Sequence, residues 1–362
     1  MFLITNRALD KAGKGLNVFG KKPNAEGPNE LRLVEVNRVK KSWQVKEVAD
    51  KLTSEVVKTL NSKFKLGLDA SKQWHGSLKV ACELFEQART QQKAILFFTH
   101  GYNNDVEDVL EAAIEIENLY DVIVVPFTWP ANGGGVISGT ASYLSDKADA
   151  RVSAGAMNRT IGKIQQLHLM LTAARKSQLR ERACKKHPDN TQEADAYFTQ
   201  LMEKDCTVTL NLLCHSMGNY LFKSTFKSSD NATSQLVFDN VCLVAADANN
   251  KNHANWVERI DVRNRVNIVI NERDSALKAS RIKPGDEQLA RLGHYTKRLD
   301  SANAHYIDIT GADHVGSEHT YFKGDAVKKN AALKEMFHEM FNGRSVEGLL
   351  KYHADNNSYR FE

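Results

Sequence analysis

The chain has 362 residues, of which 42% are hydrophobic and 26% are charged, a balance that excludes a wholly disordered protein. Lys and Arg outnumber Asp and Glu by 49 to 44, and a net charge of +5 over this length gives no argument for nucleic acid as a partner. Five widely spaced cysteines without a CxxC pair argue against a disulfide framework and a structural zinc site.

The predicted elements alternate between strands and helices along most of the chain. Apolar runs predict strands at 2–5, 31–39, 94–99, 122–127, 208–214, 241–246, 266–270 and 305–310. Helical spacing predicts helices at 44–62, 78–90, 106–119, 144–176, 218–226 and 325–342. Charges interrupt the strand at 31–39, which is typical of an antiparallel strand near a sheet edge. The alternation predicts an α/β fold, with a mostly parallel sheet and helices on both faces.

One charged segment, 177–205, interrupts this alternation, and we interpret it as a helical insertion or cap before the strand at 208–214. The predicted organisation is N-terminal strands and helices over 1–90, an α/β core over 91–343 and a C-terminal tail over 344–362. No segment approaches the ~18 apolar residues of a membrane-spanning helix, and the opening residues lack the apolar run of a signal peptide. We therefore expect no transmembrane segment and a cytoplasmic location.

A candidate nucleophile lies in the pentapeptide Cys214-His-Ser-Met-Gly218, between a predicted strand and a predicted helix. A serine at such a turn has a strained backbone, and its hydroxyl projects above the carboxyl edge of the sheet. The residues two before and two after Ser216 must be small, as Cys214 and Gly218 are. The helix N-terminus also directs amide groups at this point. The alternative is that Ser216 only caps the helix.

A second loop, His100-Gly101-Tyr102, follows the strand at 94–99 and precedes a helix. In this architecture an oxyanion hole uses the amide after the nucleophile and one from the loop after an early strand. We therefore assign the amides of Met217 and Tyr102 as oxyanion donors, and expect His100 to orient the loop. A plain tight turn is the alternative interpretation.

An acid and then a histidine are expected after Ser216 in chain order. Asp274 follows the second strand beyond the turn and is favoured as the acid, with Asp247, after the first, as the alternative. In the loop after the last strand, His319 is favoured as the general base, with His314 as the alternative.

Several motifs together carry a family resemblance. They are Thr5-Asn-Arg7, His100-Gly-Tyr-Asn-Asn104, Phe127-Thr-Trp-Pro130, Cys214-His-Ser-Met-Gly-Asn219, Asn271-Glu-Arg-Asp-Ser-Ala-Leu277, Arg291-Leu-Gly293 and His319-Thr-Tyr-Phe322. The chain thereby resembles the largely uncharacterised bacterial esterase/lipase-like branch of the α/β-hydrolases, over residues 2 to 322. The resemblance implies an α/β-hydrolase fold, with Ser216 as nucleophile, Asp274 as acid and His319 as base.

The leading interpretation is a serine hydrolase that acts on a small-molecule acyl ester or thioester and needs no metal or organic cofactor. Acyl transfer or peptide hydrolysis on the same triad is an alternative. A non-catalytic binding or assembly module on the same fold is another, because fold alone does not guarantee chemistry. We interpret Asn132–Gly135 as a flexible lip beside the pocket, with an ordinary loop as the alternative.

Overall fold

The computed structural model describes residues 1–24, 26–27, 30–40, 42–131, 139–205, 208–228, 236–282 and 289–362. The interpretation of Asn132–Gly135 as a lip concerns residues outside this described part. Among the described helices, none combines the length and the apolar composition needed to cross a membrane.

The strands and helices follow one another in an order close to the predicted one. The strands are β1 (Phe2–Thr5), β2 (Arg7–Leu9), β3 (Phe19–Pro23), β4 (Arg32–Val39), β5 (Ser42–Glu47), β6 (Ile95–Thr99), β7 (Ile123–Thr128), β8 (Leu210–His215), β9 (Phe238–Val244), β10 (Val262–Ile270), β11 (Ala304–Asp308), β12 (Lys351–His353) and β13 (Ser358–Arg360). The helices are α1 (Ser54–Phe64), α2 (Gly76–Gln91), α3 (Val106–Tyr120), α4 (Gly139–Lys186), α5 (Thr191–Lys204), α6 (Met217–Ser228), α7 (Ala254–Val257), α8 (Ser275–Ile282), α9 (Asp325–Lys329) and α10 (Ala331–Phe341).

Eleven of the described strands form one sheet, in the order β12-β13-β11-β10-β9-β8-β6-β7-β1-β4-β5. Each pair of neighbours from β13 to β1 is parallel, whereas β1–β4, β4–β5 and β12–β13 are antiparallel. The predicted α/β architecture is therefore confirmed. Because the strands β6 to β10 are parallel, their carboxyl ends lie on the same side of the sheet, where ligand sites of such sheets form.

Both faces of the sheet are covered, which explains the continuous apolar strands. In β6, Ile95 and Phe97 belong to one core cluster, which includes residues of α2 and α4. Leu96 and Phe98 belong to the other, which includes residues of α3 and α10. Successive strand residues face opposite sides, so a strand covered on both faces is apolar along most of its length.

The helix predicted over 44–62 is wrong in its first part, since β5 occupies residues 42–47 and α1 begins only at Ser54. The half-buried Trp43 and Val45 alternate with exposed residues, which is the period of a strand. β5 pairs antiparallel with β4, with Val45 opposite Val36. Thr53 then caps α1 by accepting a hydrogen bond from the amide of Val56.

The segment 177–205 is helical and consists of the end of α4 followed by α5. Leu179 and Ala183 of α4 pack against Leu201 of α5 in a small cluster of their own. Arg89 of α2 donates to Asp205 at 3.0 Å, which ties the end of this helix pair to the rest of the molecule.

The two ends of the chain join the same sheet as the middle. Residues 1–90 supply β1, β4 and β5, and residues 344–362, predicted as a tail, include β12 and β13 at the opposite edge. The division into units at residues 90 and 343 stays a prediction.

Candidate active site

Ser216 lies at the turn between β8 and α6 with a backbone φ of 53°. This left-handed conformation strains a non-glycine residue, at a cost of about 1–3 kcal/mol. Surrounding contacts hold it: the amide of Ser216 donates to the carbonyl of Val244 at 3.1 Å. The buried side-chain amide of Asn219 donates to the carbonyls of Cys214, Ser216 and Val244. A simple helix cap has an extended backbone instead, so this geometry favours the strained-turn interpretation.

The residue two after the serine must be glycine here. A Cβ at Gly218 would lie 2.7 Å from the backbone carbonyl oxygens of Thr99, at the end of β6, and of His100, the first residue of the loop that follows. Cys214, two before the serine, is fully buried and belongs to the core cluster.

The loop after β6 touches the serine turn directly. A Cβ at Gly101 would lie 2.7 Å from the Cβ of Ser216. Tyr102 follows and lines the same cavity as Ser216, with its hydroxyl donating to Ser142 Oγ at 3.2 Å. Met217 is the first residue of α6, and the first amides of a helix have no intrahelical acceptor. Both candidate oxyanion donors therefore lie in segments adjacent to Ser216.

His100 is fully buried and bonded on both ring nitrogens. The amide of Trp129 donates to Nε2 at 3.2 Å, so Nδ1 carries the proton and donates to the carbonyl of Gly101 at 2.9 Å. Burial lowers the pKa of His100 to about 3, which keeps the ring neutral. Its ring also stacks on Trp129 with the centroids 5.2 Å apart. This environment suits a positioning role and not a general base.

Arg7 braces this loop from the N-terminal segment. Its guanidinium is almost fully buried and donates from Nε to Thr128 Oγ1 at 3.1 Å. It also donates to the carbonyls of Asn104 at 3.3 Å and Ala131 at 3.1 Å. Thr128 Oγ1 lies 3.2 Å from His100 Nε2, so Arg7 connects through Thr128 to the histidine that holds Gly101.

Asp274 and His319 meet although they lie 45 residues apart in the chain. His319 Nδ1 lies 2.7 Å from Asp274 Oδ2, and the other carboxylate oxygen accepts from the amide of Leu277 at 2.9 Å. The Asp274 carboxylate is fully buried, whereas the His319 side chain is 22% exposed. When Nδ1 donates to the carboxylate, the neutral ring has its lone pair on Nε2. His319 and Ser216 line the same cavity.

Several side chains fix the loop that carries His319. The side-chain amide of Asn271 donates to the carbonyls of Gly316 at 3.1 Å and Glu318 at 3.3 Å. His215, which precedes the serine, donates from Nε2 to the carbonyl of His319 at 3.1 Å. Burial lowers the pKa of His215 well below its ordinary value, so this ring is neutral.

Asp247, the alternative acid, and His314, the alternative base, lie in different surroundings from Asp274 and His319. Asp247 lines the cavity, but its carboxylate is engaged by Arg291 at 3.0 Å, by the hydroxyl of Tyr143 at 2.9 Å and by that of Ser280 at 2.6 Å. His314 is exposed and is not among the described residues that line the cavity. The structure therefore pairs His319 with Asp274 and places His319 in the cavity that Ser216 lines, whereas the Asp247 carboxylate is paired with Arg291.

The cavity beside Ser216 has a volume of about 1040 Å³. Its described wall comes from the ends of β6 and β8, from the loops after β6, β8 and β9, from α3, α8 and Tyr143 of α4, and from residues 319–328. The segment 177–205, predicted as an insertion or cap, supplies none of these described wall residues.

Sequence reasoning missed the positioning roles of Arg7, His215, Asn219 and Arg291. Each belongs to one of the motifs that carry the family resemblance, so their presence there was the available signal. Arg7 and Arg291 are also charged residues with 3% and 1% exposure, and a buried charge requires a partner.

A mostly parallel sheet with a strained serine between a strand and a helix is the arrangement of the α/β-hydrolases. A family model described as "Alpha/beta hydrolase of unknown function (DUF900)" matches residues 80–171 and 181–327, and the chain belongs to this family. No curated protein matches the chain, and no solved structure matches it.

Proposed function

We propose that this chain is a serine hydrolase that cleaves carboxylic esters or thioesters through an acyl-enzyme on Ser216. The observation that carries the proposal is the opening of Ser216, with its φ of 53°, into the same cavity as His319, whose Nδ1 bonds to the buried Asp274. A strained serine, an imidazole and a carboxylate in this arrangement are the parts that acyl transfer requires.

In the first step, Nε2 of His319 removes the proton from Ser216 Oγ as the oxygen attacks the acyl carbon. The carbonyl π electrons move to the oxygen, which accepts hydrogen bonds from the amides of Tyr102 and Met217. Asp274 holds the imidazole in the required tautomer and stabilises the imidazolium that forms. Donors held in position beforehand cost no reorganisation during the reaction.

In the second step, the tetrahedral intermediate collapses and the bond to the leaving alcohol or thiol breaks. The imidazolium of His319 supplies the proton to the leaving group. Water then attacks the acyl-enzyme with His319 again as the base, and the products are the carboxylic acid and free Ser216. Acyl transfer would follow if an alcohol, thiol or amine replaced this water.

A fluorophosphonate probe tests the assignment of Ser216. Wild-type protein should be labelled and the Ser216→Ala variant should not, with the exposed Ser54→Ala as the matched control. Hydrolysis of p-nitrophenyl esters of graded chain length, measured on the same proteins, tests the reaction class. Labelling of Ser216→Ala would remove this serine from the role.

A binding module and an acyltransferase would each give a different result in these experiments. A wild-type protein that is folded but neither labelled nor active on any ester would favour a binding or assembly module. Product partitioning toward an added alcohol or thiol, in preference to water, would favour an acyltransferase.

A further inference from the structure

The cavity beside Ser216 has a predominantly polar wall. Polar and charged residues outnumber apolar ones in its described part, and they include hydroxyl, amide, carboxylate and ammonium groups. Outside the candidate triad, examples are Thr320, Asn104, Asn118, Glu111, Glu115 and Lys323. Cavities that bind small molecules are usually lined mainly by apolar side chains, with only a few polar groups. The composition of this wall therefore points to a polar substrate.

The apolar residues of the wall present little surface to the cavity. Three large ones are at most 2% exposed, namely Phe98, Leu277 and Phe322. Ala276 and Ala279 of α8 are exposed, but each adds only a methyl group. Among the described wall residues, Ile114 and Leu119 of α3 are the only large aliphatic side chains that are half-buried and not fully buried. The described wall thus lacks the continuous apolar lining that a long acyl chain requires to leave water.

The charged groups of the wall already have partners. Glu115 is paired with Lys328 at 2.6 Å and with Lys323 at 3.7 Å, and Glu111 is paired with Arg38 at 2.7 Å. The other two carboxylates of the described wall also have partners, Asp247 in Arg291 and Asp108 in the amide of Asp105. A charged substrate group would compete with these pairs. A hydroxyl group can instead donate to a carboxylate and accept from an amide or an ammonium group, because each carboxylate has several acceptor sites.

We propose that the substrate is a short-chain acyl ester of a neutral polyol, such as a carbohydrate, whose hydroxyl groups bond to this polar wall. The inference rests on the proposed function, because it names the leaving group of the reaction at Ser216. The bond from Ser216 Oγ to the acyl carbon forms as the bond from that carbon to the polyol oxygen breaks. His319 supplies the proton to the polyol oxygen, and water then releases the short carboxylic acid. The volume of about 1040 Å³ leaves room for the polyol together with bridging water.

Two acetate esters test the leaving group. One is methyl glucoside acetylated on its primary hydroxyl, and the other is cyclohexylmethyl acetate, which has a ring of similar size without hydroxyl groups. For wild-type protein, kcat/KM should be at least about tenfold higher for the glucoside ester, because only its hydroxyl groups can bond to the wall.

The p-nitrophenyl esters of acetate, butyrate and octanoate test the acyl group. An apolar tunnel would raise kcat/KM by about fourfold for each methylene that it removes from water. The described wall lacks such a tunnel, so kcat/KM should not increase from butyrate to octanoate.

Two substitutions connect the preference to the wall. Asn118→Leu, at an exposed position of α3, and Thr320→Val each remove a hydrogen-bonding group from the cavity. Each should lower the ratio of kcat/KM between the glucoside and cyclohexylmethyl esters by about fivefold. Gln87→Leu is the matched control, since it makes the same kind of change at an exposed position of α2 outside the cavity, and it should leave the ratio unchanged.

The same assays separate a failure of this inference from a failure of the proposed function. Hydrolysis that requires Ser216 but favours cyclohexylmethyl acetate or the octanoate ester would overturn the inference alone. A ratio that both Asn118→Leu and Thr320→Val leave unchanged would do the same. Absence of any hydrolysis, or full activity in Ser216→Ala, would overturn the proposed function and the inference with it.

Discussion

Gly101 and Ser216 approach so closely that a Cβ at Gly101 would lie 2.7 Å from the Cβ of Ser216. Non-bonded carbon atoms prefer separations of about 3.5–4.0 Å, so no side chain fits between these two segments. The loop after β6 and the turn after β8 therefore meet through backbone atoms. Their relative position sets the geometry of the proposed oxyanion hole.

Gly101→Ala should lower kcat by about a hundredfold or more with a small change in KM, because the added methyl group must displace the loop from Ser216. The measurement is steady-state hydrolysis of a p-nitrophenyl ester, together with Tm. Gly162→Ala is the matched control, since a Cβ there meets nothing within 4 Å and α4 gains helix propensity. Wild-type kcat in Gly101→Ala would contradict the assignment of this loop to the oxyanion hole.

Arg7→Met should lower both stability and kcat. It removes the donors to the carbonyls of Asn104 and Ala131, and each buried acceptor left unpaired costs about 1–3 kcal/mol. It also releases Thr128, which contacts His100, so the loop should lose its fixed position. Arg7→Lys should recover little of the wild-type stability or kcat, since an ammonium group cannot reproduce the planar guanidinium fork. A lower Tm with unchanged kcat would restrict Arg7 to a folding role.

Asp274→Asn should mainly lower kcat, whereas Asp247→Asn should mainly lower the stability of the fold. Asp274→Asn should lower kcat by about a thousandfold or more, because the amide no longer selects the required tautomer of His319. Asp247→Asn should leave the buried Arg291 without its carboxylate and destabilise the fold by about 3–5 kcal/mol. Its effect on kcat should be much the smaller of the two, as measured at a temperature where both variants are folded. The reverse ranking would make Asp247 the acid.

Acid should destabilise the protein through its buried neutral histidines. Burial lowers the pKa of His100 from 6.5 to about 3 and that of His168 from 6.5 to about 4. The unfolded chain takes up these protons as the pH falls below 6.5, and the folded protein does not. Stability should therefore be complete above the unfolded pKa and fall as the pH decreases toward the folded pKa, by about 1.4 kcal/mol per pH unit for each such histidine.

Urea unfolding at several pH values between about 7.5 and about 5 measures this slope. His100→Gln should remove the contribution of one histidine and flatten the dependence. A stability that stays constant over this range, or an unchanged slope in His100→Gln, would contradict the neutral, buried state of the ring.

Eight of the eleven described strands of the large sheet, and most of the described helices, could be predicted from local sequence patterns. Ile95–Thr99 and Leu210–His215 are short apolar runs because helices cover both faces of the sheet there. The candidate site could be predicted because Ser216, Asp274 and His319 each follow a strand, and parallel strands end at one edge. The catalytic roles of these three residues are part of the proposed function.

Features that depend on distant partners could not be predicted. Val45 also fits a helical spacing with Val48 and Leu52, and its place in a strand is fixed by the pairing of β5 with β4. β12 and β13 are polar and short, and they gain their structure from the edge of the sheet. Likewise, Arg7 and Thr128 lie 121 residues apart, so no local pattern connects them.

Helix α4 begins beside the cavity, where Tyr143 contacts Asp247, and ends at Lys186. Its 48 residues correspond to about 72 Å along the helix axis. Cys184, near its far end, is exposed, whereas the other described cysteines, Cys82, Cys214 and Cys242, are buried. A maleimide dye or a surface tether on Cys184 would therefore be remote from the cavity beside Ser216, and this thiol offers an attachment point for immobilised or single-molecule assays.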